Sequence, residues 1–235
     1  MLGVDAVDIA LAERIAAVRE RVGDAALAAG RDANGVTVVA VSKTMPRSAV
    51  DEAVSLGLTH FGENRVQEAR EKFAEPLPPG ASLHLIGQLQ SNKARHACQL
   101  FACIESVDRL SLVDTLAAEA AKTERLMPVL IQVNLAGEAQ KAGCSPEDAV
   151  ALARRIMGTE CLRLDGLMTI APLVADAEET RPVFRGLREL RDQLRDDLLG
   201  QDLPVLSMGM SNDFAVAIAE GATHVRIGRA IFGER

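Results

Sequence analysis

Eight times along this chain a short run of apolar, largely β-branched residues is followed by a stretch with helical spacing, and no two such runs adjoin. The runs are residues 36–43, 58–64, 83–87, 101–107, 127–134, 162–170, 203–209 and 223–228. The first, VTVVAVSK, is apolar without a break until its polar end, which is the pattern of a strand buried on both faces. Helical stretches follow from Pro46 and Ser48, then near 65–75, 91–99, 108–124, 146–157, 177–199 and 211–220, with a short RAIFGER last. Strand–helix alternation of this kind predicts a parallel sheet with crossover helices. Eight units in about 200 residues fit a single closed α/β barrel, a TIM-type (β/α)8 fold, better than an open doubly wound sheet. No G-x-G-x-x-G follows the first run, which weighs against a dinucleotide-binding sheet.

An additional N-terminal helix is expected over 5–29, where Ile9, Ala12, Ile15, Ala16, Val22 and Leu27 fall near helical spacing until Gly30. The only proline-rich stretch, PLPPG at 76–80, is too short to be more than a loop. Residues 1–235 are therefore expected to form one barrel domain, with 1–30 as its leading helix and no C-terminal β-domain.

Composition removes several classes of function. The chain has no Trp, no Tyr and six Phe, too few aromatics for stacking single-stranded nucleic acid. Its net charge of −7 also opposes binding to a phosphate backbone. No run approaches the ~20 apolar residues of a membrane helix, and the N-terminus lacks a signal-peptide pattern. Cys98, Cys103, Cys144 and Cys161 show neither metal-ligand pairing nor disulfide-scaffold density. A reduced, cytoplasmic, monomeric protein is expected.

In a barrel, functional groups gather at the carboxyl ends of the strands. Lys43 ends the first run and is one of only five lysines. At an apolar strand end desolvation favours the neutral amine, so Lys43 is a candidate nucleophile for an aldehyde; a lysine snorkelling into water is the bland alternative. SMGMS (207–211) and GRAIFG (228–233) follow the last two runs, each leading into a helix. Barrels frequently place a phosphate at this pair of loops, although ordinary βα turns would look the same. Alternation turns Arg226 away from Val225 and Ile227 into the lumen, where a guanidinium requires a partner. Lysine, phosphate cradle and arginine together point to pyridoxal 5′-phosphate. An arginine at the pyridine nitrogen keeps its own proton, which makes the ring a poor electron sink.

The segments VAVSKT (39–44), HFGENRVQE (60–68), HLIGQLQSNK (84–93), VN (133–134), GLMTIAP (166–172), LSMGMSNDF (206–214) and VRIGRAIFG (225–233) resemble the YggS/PROSC pyridoxal-phosphate homeostasis family. The resemblance runs from about residue 10 to the C-terminus, with motifs in order at seven strand ends. It implies an alanine-racemase-like barrel of fold type III that holds pyridoxal phosphate as an internal aldimine without a catalytic reaction. By motif, Lys43 is similar to the aldimine lysine. Ser207, Gly209, Ser211, Gly228 and Arg229 resemble the phosphate cradle, and Arg226 the pyridine-nitrogen partner. Asn64, His84, Asn134 and Met168 match residues lining the cofactor.

Three further residues carry open readings. His84 is either a core histidine or an acid–base group, and Glu63 either a general base or a rim partner of Arg65 or Arg70. Lys141 is either a solvated loop lysine or a second, transient contact for the aldehyde or phosphate. As to role, a carrier that delivers the cofactor to apo-enzymes stands against an amino-acid racemase or decarboxylase on the same barrel. Racemases of this fold take a second acid–base from a tyrosine, and this chain has none. The carrier is favoured.

Overall fold

The computed structural model describes residues 9–123, 125–137, 142–198 and 202–233. Lys141 and the first residues of the expected leading helix lie outside them. Eight parallel strands close into a barrel in sequence order. They are β1 (Thr37–Val41), β2 (His60–Glu63), β3 (Ser82–Leu85), β4 (Cys103–Val107), β5 (Met127–Gln132), β6 (Leu162–Met168), β7 (Val205–Ser207) and β8 (His224–Ile227). Around them run α1 (Ile9–Ala28), α2 (Arg47–Ser55), α3 (Val66–Lys72), α4 (Ala94–Leu100), α5 (Leu110–Ala120), α6 (Pro146–Met157), α7 (Arg181–Asp197), α8 (Phe214–Ala219) and α9 (Arg229–Phe232).

Each expected run coincides with a strand, generally shorter than the run, and only β3 starts outside its run, one residue early at Ser82. The apolar signal extends beyond the ladder into buried strand ends such as Ser42 and Thr169, both of which are buried. The leading helix packs on α8 and α9, and Arg14 Nε donates to the Ile231 carbonyl at 2.6 Å. The Arg-rich helix α7 is tied near its start by an ion pair at helical spacing, Arg181 to Glu178 at 2.7 Å. It also reaches across: Arg181, Arg185 and Arg188 of α7 converge on Glu220, just past α8.

Side-chain alternation sorts the barrel into two cores. Ala40, Phe61, Leu85, Ile104, Ile131, Leu206 and Ile227 face outward into the main apolar layer beneath the helices. Cys103, Leu130 and Met168 form a small apolar cluster of their own. The lumen beside it is polar, holding His84, Glu105, Ser207 and Arg226, all buried. A register shift between Val129 and Leu130 opposite β6 is accommodated by Gly166, at φ 155°. A Cβ there would lie 1.9 Å from the Val205 carbonyl oxygen, so only glycine permits the β6–β7 approach.

Candidate functional site

A cavity of about 590 Å³ opens at the carboxyl ends of the strands. The register that pairs Ala40 with Ile227 brings the segments after β1 and β8 out side by side. Lys43, two residues past β1 and half-buried, therefore shares this cavity with Gly228 and Arg229. Ser211 and Asp213 enter from the loop after β7, and Arg226 rises from the lumen below. The remaining wall is the apolar segment Pro172–Ala175 after β6, whose Leu173 is 85% exposed at the rim.

The loop after β7 is fixed by its backbone. Gly209 takes φ 92°, and a Cβ on it would meet Ala217 Cβ at 2.6 Å. Its carbonyl accepts from the Arg226 amide at 3.0 Å, and Asp213 accepts from the Met210 amide at 2.5 Å. Helix α8 begins at Phe214, three residues later than expected, because Asp213 takes the N-cap position and Ser211 stays in the preceding turn. Burial pushes the Asp213 carboxyl above its usual range, against its hydrogen bond from Met210 and the charge of Arg226.

Beneath the cavity a hydrogen-bonded chain crosses the lumen. Arg226 donates to Ser207 Oγ at 2.7 Å and to the Thr169 carbonyl at 2.7 Å. Ser207 Oγ donates to Glu105 Oε2 at 2.6 Å, and His84 Nδ1 donates to Glu105 Oε1 at 2.7 Å. The other nitrogen of His84, Nε2, shares a 3.0 Å hydrogen bond with His60 Nδ1. Burial alone would raise the Glu105 carboxyl. The His84 hydrogen bond, the charges of His84 and Arg226 and the Ser207 hydrogen bond outweigh it and hold Glu105 at about 2. His224 closes the group, its rings 6.3 Å from both His60 and His84, and burial pushes it down to about 4. Among the described residues no group of three His, Cys, Asp or Glu is placed to hold a metal ion.

Of the expected residues, Lys43, Ser211, Arg226, Gly228 and Arg229 line the cavity. Gly209 shapes it through its backbone. Ser207, expected in the phosphate cradle, does not line the cavity: the pleat of β7 turns it into the lumen, where Glu105 and Arg226 occupy its hydroxyl. His84 lies deeper, lining a second cavity of about 160 Å³ with Cys103, Glu105 and His224. Met168 is buried in the small lumen cluster. Asn64 and Asn134 stand at the ends of β2 and β5 without lining the large cavity. The Asn64 backbone does pack against Gly87, where a Cβ would come within 2.2 Å of the Asn64 oxygen. Glu63 is neither a cavity base nor a partner of Arg65 or Arg70. It faces outward, fully buried, and takes Lys72 Nζ at 2.8 Å and Ser42 Oγ at 2.7 Å. Asp213 and the 172–175 wall are additional to the expected set; the carboxylate in the quoted motif LSMGMSNDF was the one signal for the former.

The donor set is cationic. Lys43, Arg226 and Arg229 face the cavity against a single carboxylate, Asp213, itself engaged by an amide. Such a lining fits an anionic ligand carrying an amine-reactive group, and pyridoxal phosphate meets both conditions.

The family model described as alanine racemase, N-terminal domain, matches residues 9–235. The chain is 47% identical over 225 residues to the pyridoxal phosphate homeostasis protein of Pseudomonas aeruginosa, covering 96% of each chain. It is 43% identical over 223 residues to that of Aquifex aeolicus, covering 95% of this chain and 97% of the other. The solved structure of PipY from Synechococcus elongatus with pyridoxal phosphate bound superposes with a TM-score of 0.84 at 40% identity, over 95% of this chain and all of that one. D-threonine aldolase from Filomicrobium marinum, 17% identical, shares the fold with a TM-score of 0.73 over 93% of this chain and 61% of its own.

Proposed function

This chain belongs to the alanine racemase N-terminal-domain family and groups with its pyridoxal phosphate homeostasis proteins, and from that premise we propose that it binds pyridoxal 5′-phosphate reversibly on Lys43 and passes it on to apo-enzymes. The observation that carries this reading is the convergence of Lys43, Arg226 and Arg229 with Ser211 on one cavity. When bound, the cofactor supplies an aldehyde that condenses with a primary amine to a Schiff base; Lys43 supplies the amine. Ser211, Gly228 and Arg229 are the residues to hold the phosphate, and Arg226 is the residue to face the ring.

The same lining supports holding over turnover. Among the described residues of the cavity, the only groups able to exchange protons besides the arginines are Lys43 and Asp213. Asp213 is committed to the Met210 amide. Racemisation needs an acid and a base on opposite faces of a bound substrate, and this lining offers no His, Cys or Tyr for the second role. The exposed Leu173 at the rim and the open mouth suit a cargo that must leave again.

Saturation with pyridoxal phosphate should turn the protein yellow, with an absorbance band that Lys43→Ala abolishes. A wild type that stays colourless at saturation overturns the reading. Incubating loaded protein with single L-amino acids and following chirality and released carbon dioxide tests the carrier role. Turnover at rates near the enzymic median of about 10 s⁻¹ would make it an enzyme instead.

A further inference from the structure

The segment that presents Lys43 is a four-residue turn, Ser42 to Met45, closed by the Met45 amide on the Ser42 carbonyl at 2.9 Å. Its third residue, Thr44, has φ 65°. Type II turns require positive φ at that position and normally place glycine or asparagine there. A β-branched residue in this conformation is strained and persists only when its surroundings over-determine it.

Helix α3 supplies the surroundings. Glu68 Oε1 accepts the Thr44 amide at 2.5 Å. One turn later Lys72, 8% exposed, donates from Nζ to the Ser42 carbonyl at 2.8 Å and to Glu63 Oε1 at 2.8 Å. Lys72 also lies 3.6 Å from Glu68, and Ser42 Oγ donates to the same Glu63 oxygen at 2.7 Å. Thr44 Oγ1 donates back to the Lys43 carbonyl at 2.6 Å, fastening the peptide that links the two residues. A relaxed alternative exists: flipping the Lys43–Thr44 peptide gives a type I turn with negative φ at Thr44. That flip turns the Thr44 amide away from Glu68.

We propose that Glu68 and Lys72 are positioning residues for Lys43: gripping the Thr44 amide and the Ser42 carbonyl, they hold the turn in the strained form that aims the lysine into the cavity. The proposal rests on the reading of Lys43 as the cofactor-bearing residue. Its consequence is that the grip of α3 on the turn sets how tightly the aldehyde is retained.

A double-mutant comparison tests it, with the dissociation constant of pyridoxal phosphate read from absorbance. Glu68→Ala should weaken binding about tenfold, the scale of one strained residue losing its support. Glu68→Gln, which keeps an acceptor, should lose less. In a Thr44→Gly background the same Glu68→Ala change should have less than about a twofold effect, because glycine takes positive φ without strain. An equal loss in both backgrounds, or no loss in Glu68→Ala, overturns the proposal. If the wild type binds no cofactor, or binds it equally well as Lys43→Ala, the cofactor reading has failed instead. Hydrogen exchange at the Thr44 amide then decides on the clamp: slow exchange that Glu68→Ala accelerates supports it, and fast exchange in the wild type overturns it.

Discussion

Glu105 and Arg226, on β4 and β8, meet on one hydroxyl: Ser207 donates to the carboxylate at 2.6 Å and accepts from the guanidinium at 2.7 Å. The cation at the cavity floor is thus balanced by an anion one hydroxyl away, in a lumen that branched apolar residues usually fill. Burial pushes the Arg226 guanidinium down, and the charge of Glu105 is the first influence that opposes it. Glu105→Leu leaves that guanidinium and the His84 ring without their carboxylate, so unfolding in urea should reveal a loss of about 3–5 kcal/mol. Glu105→Leu/Arg226→Leu should be less destabilised than the two single losses summed. Strict additivity would show that the two residues do not act as a pair.

The histidine group predicts how stability follows pH. His224 is held near 4 in the fold, against 6.5 ordinarily. Between those values the unfolded chain binds more protons, so stability falls as pH falls through that window and this contribution is exhausted below 4. The shift corresponds to about 3 kcal/mol. His60 is lowered too, chiefly by burial, and acts in the same direction. Glu105, near 2 against 4.5, adds a further loss at lower pH. His224→Asn should flatten the dependence of the urea midpoint between pH 6.5 and 4; an unchanged slope would show that His224 titrates normally.

Gly166 admits no side chain. Its φ of 155° and the 1.9 Å approach to the Val205 oxygen mean that alanine must separate β6 from β7. These are the strands that carry Met168 and Ser207 to paired positions. Gly166→Ala should lose about 3 kcal/mol or more, as strain and broken ladder bonds combine. A thermal midpoint within a few degrees of the wild type would show that the barrel absorbs the shift through the neighbouring bulge.

The barrel was legible because a strand buried on two faces leaves an apolar run that nothing else in the chain imitates. Lys43 stood out by rarity and place, and Arg226 because alternation gave its lumen direction directly. The direction of Ser207 was not legible for a physical reason: a serine at a strand end looks the same in sequence whether the pleat turns it to the lumen or to the loop. Glu105 had a signal in its apolar run FACIESV, since a carboxylate buried there demands partners, but those partners sit on β3, β7 and β8. The Lys72–Glu63 contact joins residues nine apart across a strand end and a helix, a spacing that follows no helical or strand period. The apolar wall at 172–175 carries no chemical mark at all and becomes part of a site only through the closure of the barrel.

Arg226 touches both the lumen and the cavity, and its geometry predicts which function a conservative change removes. Nη1 is directed to Ser207 and Nη2 to the Thr169 carbonyl, which fixes the plane of the guanidinium while it still faces the cavity. Lysine keeps the charge beside Glu105 but gathers its donors on one nitrogen and cannot span both acceptors. Arg226→Lys should therefore fold, with a stability loss of about 1–2 kcal/mol for one surrendered hydrogen bond. Its affinity for pyridoxal phosphate should fall about tenfold, since on the proposed assignment it displaces the donor that faces the ring, worth roughly one such interaction. Borohydride reduction should still attach the cofactor to Lys43, because the amine and the residues proposed to hold the phosphate, Ser211, Gly228 and Arg229, are untouched. Wild-type affinity in Arg226→Lys would mean that the arginine serves the lumen alone, and loss of the Lys43 adduct would mean that it also orients the lysine.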